Sequence, residues 1–456
     1  MTVEEREFTN SDRLRQRAHE LIPGGAHTYA KGDDQYPVLS PGFVVTGRGS
    51  HVWDADGNEY IEYGMGNRAV GLGHAYPPVL DAVRRQLEHG CNFTRPATIE
   101  LECAETFLEI VDSVDMVKFC KDGSDATSGA VRLARAATGR DLIARCSDHP
   151  FFSVDDWFIG STEMNAGIPK AVQELTVGFR YNDLDGVREL FERYPGRIAG
   201  LILEPARDRD PPEDFLPALK ALCHLNGALF ILDEMITGFR WHCGGAHQLY
   251  GVEPDLVAFG KALGNGFALS ALAGKREFMR LGGLDHTDLP RVFLLSTTHG
   301  AETHAMAAAM ATMCTYRDEP VIEHLHRQGN ALREGIDEAI ARHRLTGFVR
   351  LGGRDSCLGY ATLDRDRQPS QAFRSLFLQE TIRRGILMPS LVVSYAHSDE
   401  DIARTIDAVD GALAVYRQAL EGDIADFLVG RPSQVVFRRF NQPQDQAAIR
   451  DCKAHA

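Results

Sequence analysis

Hydrophobic positions change their spacing along this chain of 456 residues. Between about residues 76 and 320, short and nearly continuous apolar runs alternate with segments long enough for crossover helices. Continuous apolar runs are typical of strands that helices cover on both faces. The pattern therefore predicts an α/β domain with a mostly parallel sheet. The four clearest strand candidates are "DLIARCS" (141–147), "IAGLILEP" (198–205), "GALFILDE" (227–234) and "PDLVAFGK" (254–261).

The segments before and after this region show other spacings of apolar residues. Residues 11–21 predict a short helix, and "HVWDADGNEYIEYG" (51–64) alternates around an Asp-Gly-Asn turn, which predicts a hairpin. In residues 398–420 apolar positions recur at steps of three and four, the period of an amphipathic helix, and Ser398 with Asp401 predicts a capping box. We expect four parts: an N-terminal segment at 1–75, a large domain at 76–320, a smaller α+β unit at 321–430, and a tail at 431–456 without a predicted place.

Composition narrows the class of protein. Apolar residues make up 44% and charged residues 25%, as in soluble globular proteins. A formal net charge of -15 argues against nucleic acid or an anionic membrane as a partner. The start of the chain is polar and acidic, and no run of about 18 apolar residues occurs, so neither a signal peptide nor a membrane span is predicted. Nine cysteines without a Cys-x-x-Cys pair predict reduced thiols and a cytoplasmic protein.

Charged residues end three of the predicted strands. Glu204, Asp233 and Lys261 stand where parallel sheets collect ligands, although one acid and one lysine could also form a structural ion pair. The segment Gly123-Ser124-Asp125 opens a small-residue helix, whose start can bind an anion or can be an ordinary N-cap. Hydroxyl residues ending at Thr298 precede a second, alanine-rich helix.

These features together predict pyridoxal phosphate (PLP) as cofactor. PLP needs an amine, a carboxylate for its ring nitrogen and a phosphate cradle, and Lys261, Asp233 and the helix start at Gly123 supply these groups. Burial of the lysine would lower its pKa, which favours a reactive amine. A nucleotide-binding loop at Lys261 is the competing hypothesis, but it requires a glycine where Asp255 stands and a hydroxyl where Ala262 stands.

The pair "ILDEMITGFR" (231–240) and "FGKALGNGF" (259–267) closely resembles the paired motif of class III, fold type I, PLP-dependent aminotransferases. The resemblance is strongest to the branch similar to glutamate-1-semialdehyde 2,1-aminomutase and extends from "LIPGGAHTYAKG" to about residue 420. It implies a large domain with a mostly parallel, seven-stranded sheet and a smaller α+β domain built from N- and C-terminal parts. It also implies a homodimer with shared active sites.

The resemblance implies a role for each matching residue. Lys261 would be the lysine that forms the Schiff base with PLP, and Asp233 the partner of the pyridine nitrogen. Gly123 and Ser124 would hold the phosphate through a backbone N–H and a hydroxyl. Glu204, in "LEPA", would belong to the same cofactor site.

Three further positions would complete the cofactor site. Met235 would pack under the PLP ring, and Phe151 would cover the other face, where relatives usually carry a tyrosine. Thr298 would reach the phosphate of the neighbouring subunit. Met235 could equally be an ordinary core residue, and Phe151 and Phe152 could be two core phenylalanines.

On the substrate side the chain departs from the aminomutase pattern. Lys31 stands where aminomutases carry an arginine that binds the substrate carboxylate, and no glutamate occurs between Met388 and Ser398. Other candidates for substrate binding, each of which could instead be structural, are Arg68, Arg95, His27 and Tyr29. His299 and His304 lack a metal-binding pattern, so no metal is predicted.

The predicted activity is therefore amino-group transfer from a small amine donor to an aldehyde or ketone of a small polar compound, including phosphorylated or sugar-derived ones. Glutamate-1-semialdehyde aminomutation, in which both amino transfers use one substrate molecule, is the alternative. A catalytically silent binding subunit is a third hypothesis. Such a subunit would be expected to have lost Lys261 or Asp233, and this chain keeps both.

Overall fold

The computed structural model describes residues 6–441. The helices are α1 Thr9–Leu21, α2 Met65–Arg68, α3 Pro77–Leu87, α4 Thr98–Ile110, α5 Gly123–Thr138, α6 Asp156–Ile159, α7 Lys170–Gln173, α8 Leu184–Arg193, α9 Phe215–Leu225, α10 Ala246–Leu249, α11 Arg276–Met279, α12 Thr303–Asp318, α13 Val321–Arg342, α14 Gln371–Arg383 and α15 Asp399–Glu421. The strands are β1 Val44–Arg48, β2 His51–Asp54, β3 Glu59–Glu62, β4 Met116–Cys120, β5 Leu142–Cys146, β6 Thr176–Phe179, β7 Ile198–Leu203, β8 Leu229–Asp233, β9 Leu256–Phe259, β10 Ser270–Gly274, β11 Val349–Gly352, β12 Cys357–Thr362, β13 Ile386–Leu387 and β14 Leu391–Val392.

The chain divides into two compact units. The large unit contains residues 68–72 and 76–322, and the small unit contains the described residues of 6–67, 73–75 and 323–441.

The large unit is built on a seven-stranded sheet with the order β4-β10-β9-β8-β7-β5-β6. The neighbours from β9 to β6 are parallel, and β10 is antiparallel to both β9 and β4. Every residue of β7, β8 and β9 is buried, which explains their continuous apolar sequences. The four predicted strands correspond to β5, β7, β8 and β9. The predicted fold class is confirmed.

The small unit contains two small sheets, β1-β2-β3-β13 and β11-β12-β14. The predicted hairpin is the antiparallel pair of β2 and β3, and the predicted amphipathic helix is α15. The capping box of α15 is also confirmed, because the Ser398 hydroxyl accepts from the Asp401 N–H at 3.1 Å and the Asp401 carboxylate accepts from the Ser398 N–H at 3.0 Å.

The tail beyond residue 430 packs within the small unit as far as it is described. Arg431 donates to the Asp33 carbonyl at 2.9 Å, the Gln434 N–H donates to the Asp34 carbonyl at 2.7 Å, and Arg438 lies 2.7 Å from the Asp34 carboxylate. The tail therefore holds the segment that immediately follows Lys31. Residues 442–456 of the predicted tail lie outside the described residues.

In residues 6–441 no helix has the length and apolarity to cross a membrane. No cluster of three or more His, Cys, Asp or Glu side chains is placed to hold a metal ion, and the eight cysteines of the same range are all free thiols.

Candidate active site

Two acids and a lysine meet at the carboxyl edge of the large sheet. Glu204 follows β7 directly, Asp233 is the last residue of β8, and Lys261 comes two residues after β9. These three strands are parallel neighbours, with Asp233 opposite Ala258 of β9. Both carboxylates are buried, with 3% exposure at Glu204 and 4% at Asp233. The structure thus brings together three residues that the sequence placed at separate strand ends.

Lys261 occupies a strained backbone position in a low-dielectric setting. Its φ of 46° lies in the left-handed region, which is uncommon for a residue other than glycine and is frequent at functional sites. Burial lowers the pKa of its amine, and the positive charges of Arg68 and Arg207 act in the same direction, against the opposing effect of Asp233 and Glu204. A larger fraction of the amine is therefore neutral and nucleophilic than in a solvated lysine.

The pKa of the Asp233 carboxyl group is shifted in the opposite direction to that of Lys261. Burial, followed by the nearby charge of Glu204, raises its pKa to about 7, although Lys261 and the Met235 N–H favour its ionised form. That N–H donates to Asp233 Oδ1 at 2.9 Å and fixes the orientation of the carboxyl group. A buried carboxyl group that titrates near neutral pH is suited to share a proton with a basic ring nitrogen.

Glu204 carries a carboxylate oxygen without a protein donor. Its Oε1 accepts from Arg207 at 3.0 Å, and its backbone N–H donates to His149 Nδ1 at 3.0 Å. Its Oε2 is buried and has no hydrogen-bond partner among the described residues. A buried unsatisfied carboxylate oxygen is costly, so this atom indicates a site built to receive a donor from a bound molecule.

Glu234, the next residue after Asp233, has a structural environment instead. Its carboxylate accepts from the Ala246 N–H at 2.9 Å, from the His247 N–H at 2.8 Å and from His247 Nδ1 at 2.9 Å. These bonds satisfy the start of α10 within the core. Of these two adjacent acids, Asp233 therefore faces the site and Glu234 stabilises the loop after β8.

Met235 lies between two glycines that leave it room. A Cβ atom at Gly123 would come within 2.9 Å of Met235 Sδ, and one at Gly260 would come within 2.6 Å of the same atom. Real Cβ atoms do not approach so closely, so both positions require glycine while Met235 keeps this place. Met235 Sδ therefore lies against Gly260, the residue that precedes Lys261.

The start of α5 is already capped by a residue of the chain. Asp122 Oδ1 accepts from the Ser124 N–H at 2.8 Å and from the Asp125 N–H at 3.1 Å. The expectation that this helix start offers free N–H groups therefore does not hold for those two residues. The Ser124 hydroxyl accepts from the Val154 N–H at 3.1 Å and keeps its own proton to donate.

Phe151 and Thr298 lie on the surface of the large unit. The Phe151 side chain is 44% exposed and contacts Phe158 edge to face at 5.6 Å, whereas Phe152 is 2% exposed. The interpretation as two core phenylalanines is therefore right for Phe152 and wrong for Phe151. Thr298 is exposed, and its carbonyl accepts from Asn92 at 3.0 Å.

Among the five predicted substrate residues, all of which the structure describes, only Arg68 has an electrostatic effect on Lys261. Its charge acts on the Lys261 amine, its φ is 70°, and its carbonyl accepts from the buried Arg240 at 2.7 Å. Arg95 is exposed elsewhere on the large unit. The other three candidates are exposed residues of the small unit, namely Lys31, His27 and Tyr29.

Three residues of the site were not found from the sequence. Asp122 precedes the helix start directly and carries the N-cap signal that could have identified it. Arg207 lies three residues after Glu204 in "EPAR", a short spacing that is compatible with an ion pair. His149 has no such signal, because its bond to the Glu204 N–H depends on the pairing of β5 with β7.

Comparison with known proteins agrees with this geometry. The family model of the class III aminotransferases matches residues 29–409. A glutamate-1-semialdehyde 2,1-aminomutase of Thermus thermophilus is 34% identical over 422 residues, which are 87% of this chain and 97% of that protein.

Solved structures give the same assignment. The FumI protein of Sphingopyxis sp. MTA144, solved in a PLP form, is 28% identical with a TM-score of 0.82 and covers 91% of this chain and 98% of its own. An omega-transaminase from Sphaerobacter thermophilus is 28% identical with a TM-score of 0.80, over 89% of this chain and 98% of its own. The predicted family, fold type, enzyme class and cofactor are confirmed. The chain belongs to the class III aminotransferases, enzymes that use PLP.

Proposed function

We propose that this chain moves an amino group from a small amine donor to an aldehyde or ketone, with Lys261 as the residue that transfers the proton. The observation that carries the proposal is the position of Lys261. Its amine has a lowered pKa and lies at the end of β9, in a left-handed backbone conformation, beside the buried carboxyl groups of Asp233 and Glu204.

The residues present fit PLP. When bound, PLP supplies an electron sink that weakens the bonds at the carbon bearing the amino group. Lys261 would hold its aldehyde carbon, and Asp233 would hold its ring nitrogen. The orphaned Glu204 Oε2 would accept a hydrogen bond from a bound group. Gly123 and Ser124 would contact the phosphate, with Met235 and Phe151 on the two faces of the ring.

Lys261 would act as base and then as acid in each half of the reaction. With PLP and a donor amine bound, the Lys261 amine would be free to act as a base on the carbon that bears the amino group. It would take the proton from that carbon and return it to the carbon on the other side of the amino nitrogen, a 1,3-proton shift. Asp233 would keep a proton at the ring nitrogen and so support the electron sink that PLP supplies.

The active form would be a homodimer in the cytoplasm. Large apolar side chains on the surface of the large unit, including Phe93 at 50% and Phe293 at 69% exposure, support a protein interface. Thr298 is exposed and would reach the phosphate bound by the partner subunit. The cytoplasmic location stays a prediction from the cysteine content.

The donor and the acceptor are proposed as classes of small molecules and not as single compounds. Arg68 is the substrate residue best supported by position, and roles for Lys31, His27, Tyr29 and Arg95 remain predictions. Aminomutation of glutamate 1-semialdehyde is the second candidate, since curated relatives at 32–34% identity carry that name. The replacement of the expected arginine by Lys31 favours a different carbonyl compound.

A donor and acceptor screen tests this function. PLP-loaded protein is mixed with single amines, and conversion of the cofactor to its amine form is followed by absorbance, before carbonyl compounds are added to reverse it. We expect conversion by at least one small amine and reversal by an aldehyde or ketone. No conversion by any amine would contradict the proposal, and efficient turnover of glutamate 1-semialdehyde alone would favour the aminomutase.

A further inference from the structure

A cavity of about 670 Å³ opens at the carboxyl edge of the large sheet, on the side of Glu204 away from β8. Its walls come from the loops that follow three neighbouring strands, β7, β5 and β6. The residues that line it are 148–150, Arg180, Tyr181 and 207–209. This volume is in the range of small-molecule sites. The cavity adjoins the cofactor site, because His149 and Arg207 both bond to Glu204.

The ion pairs around this cavity present their positive ends outward. Arg207 pairs with Glu204 at 3.0 Å, and its side chain is 31% exposed against 4% for the glutamate. Arg180 pairs with Asp148 at 2.6 Å, with exposures of 74% and 31%. In both pairs the carboxylate lies deeper than the guanidinium. Arginine nitrogens therefore face the solvent and the cavity, where an anion could reach them.

Arg209 adds a third guanidinium to this cavity. It lies 5.9 Å from the centre of the Tyr181 ring, which limits its orientations. In the described part of the chain no carboxylate lies within salt-bridge distance of it. A guanidinium presents a planar fork that matches a carboxylate or a phosphate. Two carboxylates oppose anion binding here: Asp208, exposed beside Arg209, and Asp148, which is paired with Arg180.

We propose that Arg209, with Arg207 next to it, binds an acid group at the far end of the amino substrate, while the amine of that substrate reacts at Lys261. The inference rests on the proposed function and names its substrate class, small amines with a distal carboxylate or phosphate. Arg207 connects the two regions. It bonds to Glu204, which directly follows β7, and β7 is the parallel neighbour of β8, the strand that ends at Asp233.

The test compares three primary amines that differ at the far end: 4-aminobutyrate, 2-aminoethyl phosphate and 1-aminobutane. The rate of cofactor conversion is measured against amine concentration for the PLP-loaded wild type, Arg209→Gln and Asp208→Asn. We expect an anionic amine to react better than 1-aminobutane. Arg209→Gln should raise the half-saturating concentration of that amine about 10- to 100-fold, and Asp208→Asn should lower it a few-fold. 1-Aminobutane should respond to neither change.

Opposite effects of Arg209→Gln and Asp208→Asn on the anionic amines would indicate recognition of the acid group. A purely structural change would instead slow cofactor conversion by all three amines alike. Arg188→Gln on α8, an exposed arginine paired with Asp185, is the matched control. A response of 4-aminobutyrate alone identifies a carboxylate site, and a response of 2-aminoethyl phosphate alone identifies a phosphate site. Equal reaction of all three amines, or no effect of Arg209→Gln on the anionic ones, overturns the inference. Failure of the proposed function would give a different result from failure of this inference alone. In that case no amine would convert the cofactor, and both the function and the inference would be wrong.

Discussion

Asp233 and Glu234 are neighbours in the sequence whose carboxyl groups have opposite surroundings. Glu234 accepts four hydrogen bonds, from Thr237 and from the start of α10, and these bonds outweigh burial and lower its pKa. Asp233 accepts one backbone bond, and burial raises its pKa to about 7. Asp233 is the last residue of β8 and Glu234 is the first residue of the loop that follows, so the carboxylate of Glu234 bonds within that loop while the carboxyl group of Asp233 stays at the site.

The raised pKa of Asp233 predicts a pH dependence of stability. Between about pH 4 and pH 7 the folded, cofactor-free protein holds a proton that the unfolded chain releases, so stability falls as pH rises through this window. Asp233→Asn removes this effect. In the cofactor-free protein it should raise the free energy of unfolding near pH 8 by about 2–4 kcal/mol, with little change near pH 4.

Thermal unfolding of the two proteins across this pH range checks the prediction. Asp185→Asn on the exposed face of α8 serves as control and should show no pH-dependent gain. A variant Asp233→Asn that is less stable than the wild type near pH 8 would contradict it. The same variant should bind PLP more weakly, because the ring nitrogen loses its acidic partner.

Gly260 is expected to tolerate no side chain. A Cβ atom there would meet Met235 Sδ at 2.6 Å and would collide with the Ser270 hydroxyl. Gly260→Ala should therefore lower the free energy of unfolding by about 1–3 kcal/mol and reduce PLP binding. Gly359→Ala is the control, since a Cβ atom at Gly359 meets nothing within 4 Å. Equal unfolding temperatures for the two variants would show that Met235 moves aside freely.

At the scale of elements, helix α5 depends on Asp122. Its carboxylate caps two N–H groups, so Asp122→Ala should lower stability by about 0.5–2 kcal/mol. Asn is as good an N-cap as Asp, so Asp122→Asn should retain most of that stability while it removes a negative charge from the place proposed for the phosphate. Thermal unfolding and PLP titration of both variants measure the two effects. Equal losses in stability would contradict the capping role.

The elements that the sequence predicted correctly are those with the strongest patterns. The strands β7, β8 and β9 are buried on both faces and read as apolar runs, and α15 has a regular period and a capping box. The proximity of Lys261 and Asp233 was predictable because Asp233 ends one such strand and Lys261 closely follows the next, inside a specific motif. His149 and the cavity lined by Arg209 were not, because they depend on which strands become neighbours. Strand order is set by the packing of the whole sheet.

At the scale of the whole molecule, the tail connects to the N-terminal part of the small unit. Arg438→Gln removes the ion pair with Asp34 and should loosen the segment that follows Lys31. We expect a lower unfolding temperature and a changed half-saturating substrate concentration, with the PLP spectrum retained. Arg439→Gln is the neighbouring control, since Arg439 lies over the Phe440 ring. Identical behaviour of the two variants would contradict a role of the tail in holding this segment.

The proposed activity depends above all on the binding of PLP by the Lys261 amine. The most direct measurement is the absorbance spectrum of the purified protein after incubation with PLP, before and after borohydride, for the wild type and Lys261→Ala. We expect a band near the edge of the visible range in the wild type that borohydride removes and that Lys261→Ala lacks. A colourless wild-type protein, or an unchanged band in Lys261→Ala, would contradict it.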